Sequence, residues 1–125
     1  MKLLLSVIED ISSLAIEWYG DYVKKIIVGG KSFEKADETE DTIYLLVLDR
    51  VSKISIYARG EIFSFFYNNA IKRKESIKLF ISKYGTLPKI YGIILSPKEL
   101  DYEIPIIEYL TSNGKVLLDR GEQNG

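Results

Sequence analysis

The residues of this sequence whose types and spacing could support chemistry are a pair of glycines and the carboxylates that follow them. Gly29-Gly30 ends an apolar run, and the polar segment after it carries a group of acids: Glu34, Asp37, Glu38, Glu40 and Asp41. The chain contains no histidine and no cysteine, which excludes imidazole acid–base catalysis, thiol nucleophiles, thiolate zinc sites and disulfides. Any hydrolytic or transfer reaction would therefore rest on carboxylates with a hard divalent ion such as magnesium.

The glycine pair and the acidic segment each have two interpretations from the residues alone. Gly29-Gly30 could let the backbone approach a phosphate, or it could make a tight turn between a strand and a loop. The acids could gather around a metal ion, although such a run is more typical of a solvated, flexible loop. Lys31 and Lys35 could offset phosphate charge, or they could simply solubilise the surface beside the acids.

The composition is that of an ordinary globular protein. The 125 residues are 46% hydrophobic and 28% charged, with a formal net charge of −1. A near-neutral chain has no global field that would attract nucleic acid or an anionic membrane, so we expect no dedicated nucleic-acid binding. The apolar start, Met1 to Ile8, is too short to span a membrane, and no signal-peptide cleavage site follows it. We expect one cytoplasmic domain over 1–125, and abundant Ile, Lys, Glu and Tyr would suit a thermophile.

The elements that must position these residues follow from apolar periodicity and turn signals. The predicted order begins with a helix from Leu3 to about Tyr22, a strand over Val23 to Val28, a loop over Lys31 to Asp41 and a strand over Thr42 to Leu48. A helix from Ser52 to about Tyr84 follows, with a possible break near Asn68-Asn69, and then a turn at Gly85 to Pro88. The chain continues with a strand over Lys89 to Leu95, a helix over about Ile104 to Thr111 and a strand over Lys115 to Leu118. The second strand is apolar almost throughout, which predicts a central position covered on both faces. The predicted fold class is α/β (α+β), a mixed central sheet of about four strands with flanking helices.

Three shorter sequence patterns add detail to this predicted order of elements. Ser96-Pro97-Lys98-Glu99 has the residue order of a helix start. The stretch Glu61 to Ile71 is so rich in aromatic residues that strand character is an alternative to helix. The basic run Lys72-Arg73-Lys74, with Lys78 one turn later, indicates a solvated helix face or a phosphate contact.

Four motifs in order carry a family resemblance. The segment from Tyr19 to Gly30 reads Tyr-Gly-Asp-Tyr-Val-Lys-Lys-Ile-Ile-Val-Gly-Gly, and Ile43-Tyr-Leu-Leu-Val-Leu-Asp49 follows after a polar loop. Ile90-Tyr-Gly-Ile-Ile-Leu-Ser-Pro97 and Asn113-Gly-Lys-Val-Leu-Leu-Asp-Arg120 come later. Together they resemble the strands of the polymerase-beta nucleotidyltransferase superfamily over nearly the whole chain. In that family a strand ends in two small residues, and the next strand begins with Asp-x-Asp.

The sequence departs from this family at the acids. Two aspartates at alternate positions of a strand point the same way and hold magnesium for nucleotidyl transfer. Aligning the hydrophobic run places Thr42 and Tyr44 at these positions, whereas aligning by loop length from Gly30 places Asp41 and Ile43 there. The third acid of the family would fall near Tyr91 or Gly92. Neither alignment supplies a carboxylate pair, so no metal site is predicted.

The resemblance implies a nucleotidyltransferase-like domain that is catalytically degenerate and binds a nucleotide or another protein. Its expected nucleotide-binding residues are Gly29, Gly30, Lys31, Asp41, Thr42 and Tyr44. We expect Tyr44 to share a cleft with Gly30 and to fill the former metal position. Small stand-alone members of the family often act as the antitoxin-like partner of a small helical protein. An active magnesium-dependent nucleotidyltransferase using atypical acids such as Asp41 and Asp49 is the alternative, and a structural protein without a ligand is a third hypothesis.

The aromatic residues also predict association between chains. Aromatic residues make up 12% of the sequence, and most of them are tyrosines, which are enriched at protein interfaces. The cluster Phe63, Phe65, Phe66 and Tyr67 is interpreted as core or interface rather than as a platform for bases. We therefore expect a homodimer with two-fold symmetry.

Overall fold

Five helices and four strands make up the described part of the chain, residues 1–121 of a computed structural model. The helices are α1 (Lys2–Tyr19), α2 (Lys31–Glu34), α3 (Ile56–Arg73), α4 (Glu75–Tyr84) and α5 (Pro105–Asn113). The strands are β1 (Val23–Gly29), β2 (Thr42–Leu48), β3 (Ile90–Leu95) and β4 (Lys115–Asp119). Short 3-10 turns cover Gly20–Tyr22 and Pro97–Asp101. Within 1–121, no helix is both long enough and apolar enough to cross a membrane.

The strands form one mixed sheet in the order β3-β2-β1-β4. β1 runs antiparallel to both β2 and β4, while β2 and β3 run parallel. This confirms the predicted fold class, and it confirms that the apolar second strand is central. A strand with neighbours on both sides and cover on both faces can be apolar throughout without exposing those side chains.

Alternate residues of β2 face two different cores. Tyr44, Leu46 and Leu48 point into the larger core, which α1, α3 and α4 complete on one face of the sheet. Leu45 and Val47 point into a smaller core on the other face, where they pack with residues of α5. Because side chains alternate across a strand, the position of each residue in the register decides which of these two environments it meets.

The long predicted helix is divided in two, although not where its sequence indicated. Lys74 has an extended backbone (φ −106°, ψ 128°) between α3 and α4, whereas Asn69 stays within α3 and donates from its side-chain amide to the carbonyl of Phe65. The aromatic-rich stretch is therefore helix and not strand. Phe63 and Phe66 lie in the larger core, while Phe65 is exposed.

Two further local predictions differ from the structure. The Ser96–Glu99 signature begins the 3-10 turn at Pro97, and α5 starts separately at Pro105. The segment predicted as a loop after Gly30 contains the short helix α2. The backbone N–H groups of this helix form hydrogen bonds within the same segment. The Ser32 N–H donates to the Asp41 carbonyl, and the Phe33 and Glu34 N–H groups donate to the Gly30 carbonyl. This segment is therefore tied down rather than flexible.

Candidate functional site

A cleft of about 550 Å³ lies on the α5 face of the sheet, where the Gly29-Gly30 turn meets the start of β2. Its polar lining comes from Lys31, Glu34 and Asp41 beside the backbone of Gly30. The remaining lining is apolar or aromatic, and it consists of Ile43, Tyr91, Ile93, Ile106 and Tyr109. The first two strands and α2 thus build one side of the cleft, while β3 and α5 supply the other.

The two glycines are required by close approaches of the chain. A Cβ at Gly29 would lie 2.9 Å from Cδ2 of Leu110, so α5 packs directly on the end of β1. Gly30 has φ of +104°, a conformation that L side chains rarely adopt, and a Cβ there would lie 2.8 Å from the Asp41 carbonyl oxygen. This turn holds Asp41 against Gly30 at the mouth of the cleft.

Three of the predicted site residues line the cleft, namely Gly30, Lys31 and Asp41. Gly29 does not line the cleft, but it lines a smaller depression together with Gly30 and Tyr109. These residues come together because the strand–turn–helix segment doubles back on the start of β2. The predicted meeting of the glycine turn with the second strand is therefore observed.

Thr42 and Tyr44 lie on the opposite face of the sheet, and the interpretation of Tyr44 is corrected by this placement. The Thr42 hydroxyl is buried, 2.6 Å from the hydroxyl oxygen of Ser32. The Tyr44 ring is fully buried in the larger core, and its hydroxyl lies 2.9 Å from Ser12 Oγ on α1. Burial raises the pKa of the Tyr44 phenol above its ordinary value. Tyr44 is therefore a structural residue and does not share the cleft of Gly30.

Asp41 and Ile43 are the alternate residues that face the cleft, and Ile43 pairs with Tyr91 on β3. The alignment by loop length is thus the one that corresponds to the cleft face of the sheet. Of these three cleft-facing positions, Asp41 alone is a carboxylate, while Ile43 is aliphatic and Tyr91 carries a phenol.

The second carboxylate of the cleft, Glu34, is engaged by α5. The Tyr109 hydroxyl donates a hydrogen bond to Glu34 Oε1, which joins α2 to α5 across the cleft. This hydrogen bond to the carboxylate raises the pKa of Tyr109. Tyr109 and Ile106 were missed by the sequence analysis. The helical spacing of α5 shows that it has an apolar side, but it does not tell which face of the sheet that side covers.

The donor set does not fit magnesium as the family mechanism uses it. Within residues 1–121, no three Asp, Glu, His or Cys side chains are grouped as a metal site requires. Asp41 and Asp49 flank β2 at opposite ends, so roughly 25 Å of extended chain separates them. The atypical acid pair considered from the sequence therefore cannot hold one ion.

No family model and no curated protein matches the chain. Among solved structures it is similar to the crystal structure of a "putative nucleotidyltransferase" from Sulfolobus solfataricus, with a TM-score of 0.55 and 14% sequence identity. The similarity covers 95% of this chain and 82% of that chain. At this identity the likeness concerns the fold alone. The chain has a nucleotidyltransferase-like fold.

Proposed function

We propose that this protein is a catalytically silent nucleotidyltransferase-like module that binds a nucleotide in the cleft at Gly30 without transferring it. The observation that carries the proposal is the set of residues facing the cleft from β2 and β3. Asp41, Ile43 and Tyr91 present one carboxylate where metal-assisted transfer needs a group of them. The cleft is thus present without such a group at these positions.

The apolar part of the cleft supports a nucleobase as the group bound. Ile43, Ile93 and Ile106 give the cleft an aliphatic lining, and Tyr91 and Tyr109 add two aromatic rings to it. Clefts of this kind, mainly apolar with a few polar groups, are typical of small-ligand sites, and tyrosine rings stack on bases of any sequence.

The charged part of the cleft favours a ligand with few phosphates. Lys31 is the one cation among the cleft-lining residues, and Glu34 and Asp41 are both acidic. A triphosphate without a metal would be repelled by the two carboxylates, whereas a single phosphate could pair with Lys31. We therefore expect a nucleoside monophosphate to bind better than a triphosphate, without dependence on magnesium. The antitoxin-like pairing with a small helical protein stays a prediction beside this one.

Thermal unfolding with adenosine, AMP and ATP, each with and without magnesium, tests the proposal. Binding to the folded state raises the free energy of unfolding by about 2.7 kcal/mol at a free ligand concentration 100 times Kd. Lys31→Ala should reduce the shift with AMP and leave the shift with adenosine. Lys35→Ala is the matched control, because Lys35 pairs with Glu40 and does not line the cleft. Absence of a shift with every ligand, or transfer of label from ATP by the purified protein, would contradict the proposal.

A further inference from the structure

The outer face of α3 carries large apolar side chains that the described chain leaves mostly exposed. Ile56, Tyr57 and Phe65 are 72%, 79% and 66% exposed. With Gly60, Glu61 and Ser64 they line a shallow groove along the helix. Single exposed apolar residues are common on protein surfaces, but a contiguous group of this kind marks an interaction surface. We call these six residues the α3 face.

Gly60 lies at the centre of the α3 face, and no contact within the chain accounts for it. A Cβ built on Gly60 meets nothing within 4 Å, and its φ is not positive. Glycine inside a helix costs about 0.5–1 kcal/mol relative to alanine. Neither packing nor backbone conformation in the single chain explains this cost, whereas the close approach of another helix would.

We propose that the α3 face binds a second copy of this chain, with the two α3 helices packed antiparallel about a two-fold axis between positions 60 and 61. In a two-fold interface, residue i contacts j and residue j contacts i. This axis places Ile56 opposite Phe65, and Tyr57 opposite Ser64. It also places Glu61 opposite Gly60, where the missing side chain leaves room for its stem.

The pattern of the α3 face is self-complementary under this operation. Its members form two rows of residues spaced by four, the ridges along which helices commonly interdigitate. The larger aromatic side chains meet either an aliphatic residue or a small one. Under this operation every member of the α3 face has a counterpart on the second copy, which is why we take a second copy as the occupant.

The exposed area sets the expected strength of this dimer. Aromatic side chains bury about 150–250 Å² each, so Tyr57 and Phe65 together offer about 300 Å² at their exposures. The ring of Trp18 on α1, 5.7 Å from the Phe65 ring, extends the apolar surface at one end. Stable interfaces bury about 800 Å² per partner, and weaker ones bury less than about 600 Å². We therefore expect a dimer at the weak end of this range.

Sedimentation velocity over a concentration series, from about 1 to about 200 micromolar, tests the proposal in the range expected for a weak interface. The wild type should shift from monomer to dimer across the series. Gly60→Gln should raise Kd at least ~10-fold, about 1.4 kcal/mol, because its side chain would occupy the place of Glu61 of the other copy. Tyr57→Ser should weaken the dimer in the same direction. Leu79→Gln is the matched control, since Leu79 is an exposed apolar residue on α4 outside the α3 face.

The same variants separate association from folding. Gly60→Gln should keep or raise the melting temperature at the lowest concentration, because Gly60 has open space around it and Gln is the better helix former. A wild type that stays monomeric over the whole series would overturn the proposal. A dimer that neither Gly60→Gln nor Tyr57→Ser weakens, or that Leu79→Gln weakens equally, would also overturn it.

Discussion

At the scale of single residues, the Arg59 guanidinium donates five hydrogen bonds. It is 3% exposed, and each of its N–H groups has an acceptor. Nε donates to the carbonyl of Ile54, and the two terminal nitrogens donate to the carbonyls of Ile94 and Val51 and to both oxygens of Glu99. The pair with Arg59 holds the pKa of Glu99 below its ordinary value. One guanidinium thereby ties the start of α3 to the end of β3 and to the turn that follows.

Arg59→Met should destabilise the protein by about 3–5 kcal/mol, because it leaves Glu99 and three carbonyl groups without their donor. Urea unfolding at neutral pH measures this change. Arg73→Met is the control, since Arg73 pairs with Glu17 at the surface and exposed pairs contribute at most about 1 kcal/mol. Equal losses of unfolding free energy in the two variants would show that the buried network contributes no more than an exposed ion pair.

Ile43 is the cleft-facing residue of β2 that alternates with Asp41. Ile43→Asp would place two carboxylates at alternate cleft-facing positions, with Asp41 as the other. We expect this variant to bind magnesium in a calorimetric titration, whereas the wild type and the uncharged Ile43→Asn should not. Magnesium binding by the wild type at equal affinity would contradict the assignment of these positions.

At the scale of elements, Gly92 determines how closely α3 packs on β3. A Cβ at Gly92 would lie 2.2 to 2.3 Å from ring carbons of Phe63, which α3 presses onto the strand from the larger core. Backbone and ring are both fixed there, so the extra carbon cannot be absorbed by a flexible side chain. The contact with Phe63 thus requires glycine at position 92.

Gly92→Ala should lower the free energy of unfolding by about 1–3 kcal/mol through overpacking. Gly60→Ala is the matched glycine control, because the space around Gly60 is open, and it should raise stability by about 0.5–1 kcal/mol. Chemical denaturation at low protein concentration, where association does not contribute, compares the two. A Gly92→Ala variant as stable as the wild type would mean that α3 can move away from the sheet at little cost.

At the scale of the whole molecule, Glu38 joins segments that are distant in sequence. It is 7% exposed, and it accepts the Leu4 N–H of α1 at 2.7 Å and the Tyr84 hydroxyl of α4 at 2.5 Å. Burial alone would raise the pKa of Glu38, but the hydrogen bonds from Tyr84 and Leu4 outweigh it and lower the pKa. The interpretation of this acid as part of a solvated loop is therefore wrong.

The lowered pKa of Glu38 predicts a loss of stability in acid. A carboxyl group with a lower pKa in the folded state binds its proton more readily when unfolded, so its contribution is present above the ordinary pKa of 4.5 and is lost as pH falls through the folded value. Glu38→Gln should cost about 1.5–3 kcal/mol at pH 7, the range for hydrogen bonds to a charged group. The difference from the wild type should shrink below pH 4.5 in urea unfolding. A difference that stays constant with pH would assign the effect to packing.

The sequence by itself determined the elements and the sheet, because those depend on local signals. The apolar run Thr42–Leu48 could only be stable between two covering layers. The pair Gly29-Gly30 required a sharp turn of the chain before this strand. The number of strands, the central position of β2 and the join between Gly30 and the start of β2 followed from these signals. The division at Lys74, the short helix α2 and the 3-10 turn after Ser96 were not predicted, since short elements and helix breaks depend on what their flanks pack against.

The tertiary structure decided which face of β2 holds the cleft. Alternate positions of a strand are equivalent until each face has a neighbour, so the sequence left two registers open, and the expectation that Tyr44 shares the cleft was wrong. Packing of α1 and α3 against one face buried Tyr44 beside Ser12, and α5 on the other face formed the cleft around Asp41. The contacts of Arg59 with Glu99 and of Glu38 with Leu4 likewise join residues more than thirty positions apart. Such pairings depend on the tertiary arrangement of segments that are distant in sequence, and no local pattern of residues predicts that arrangement.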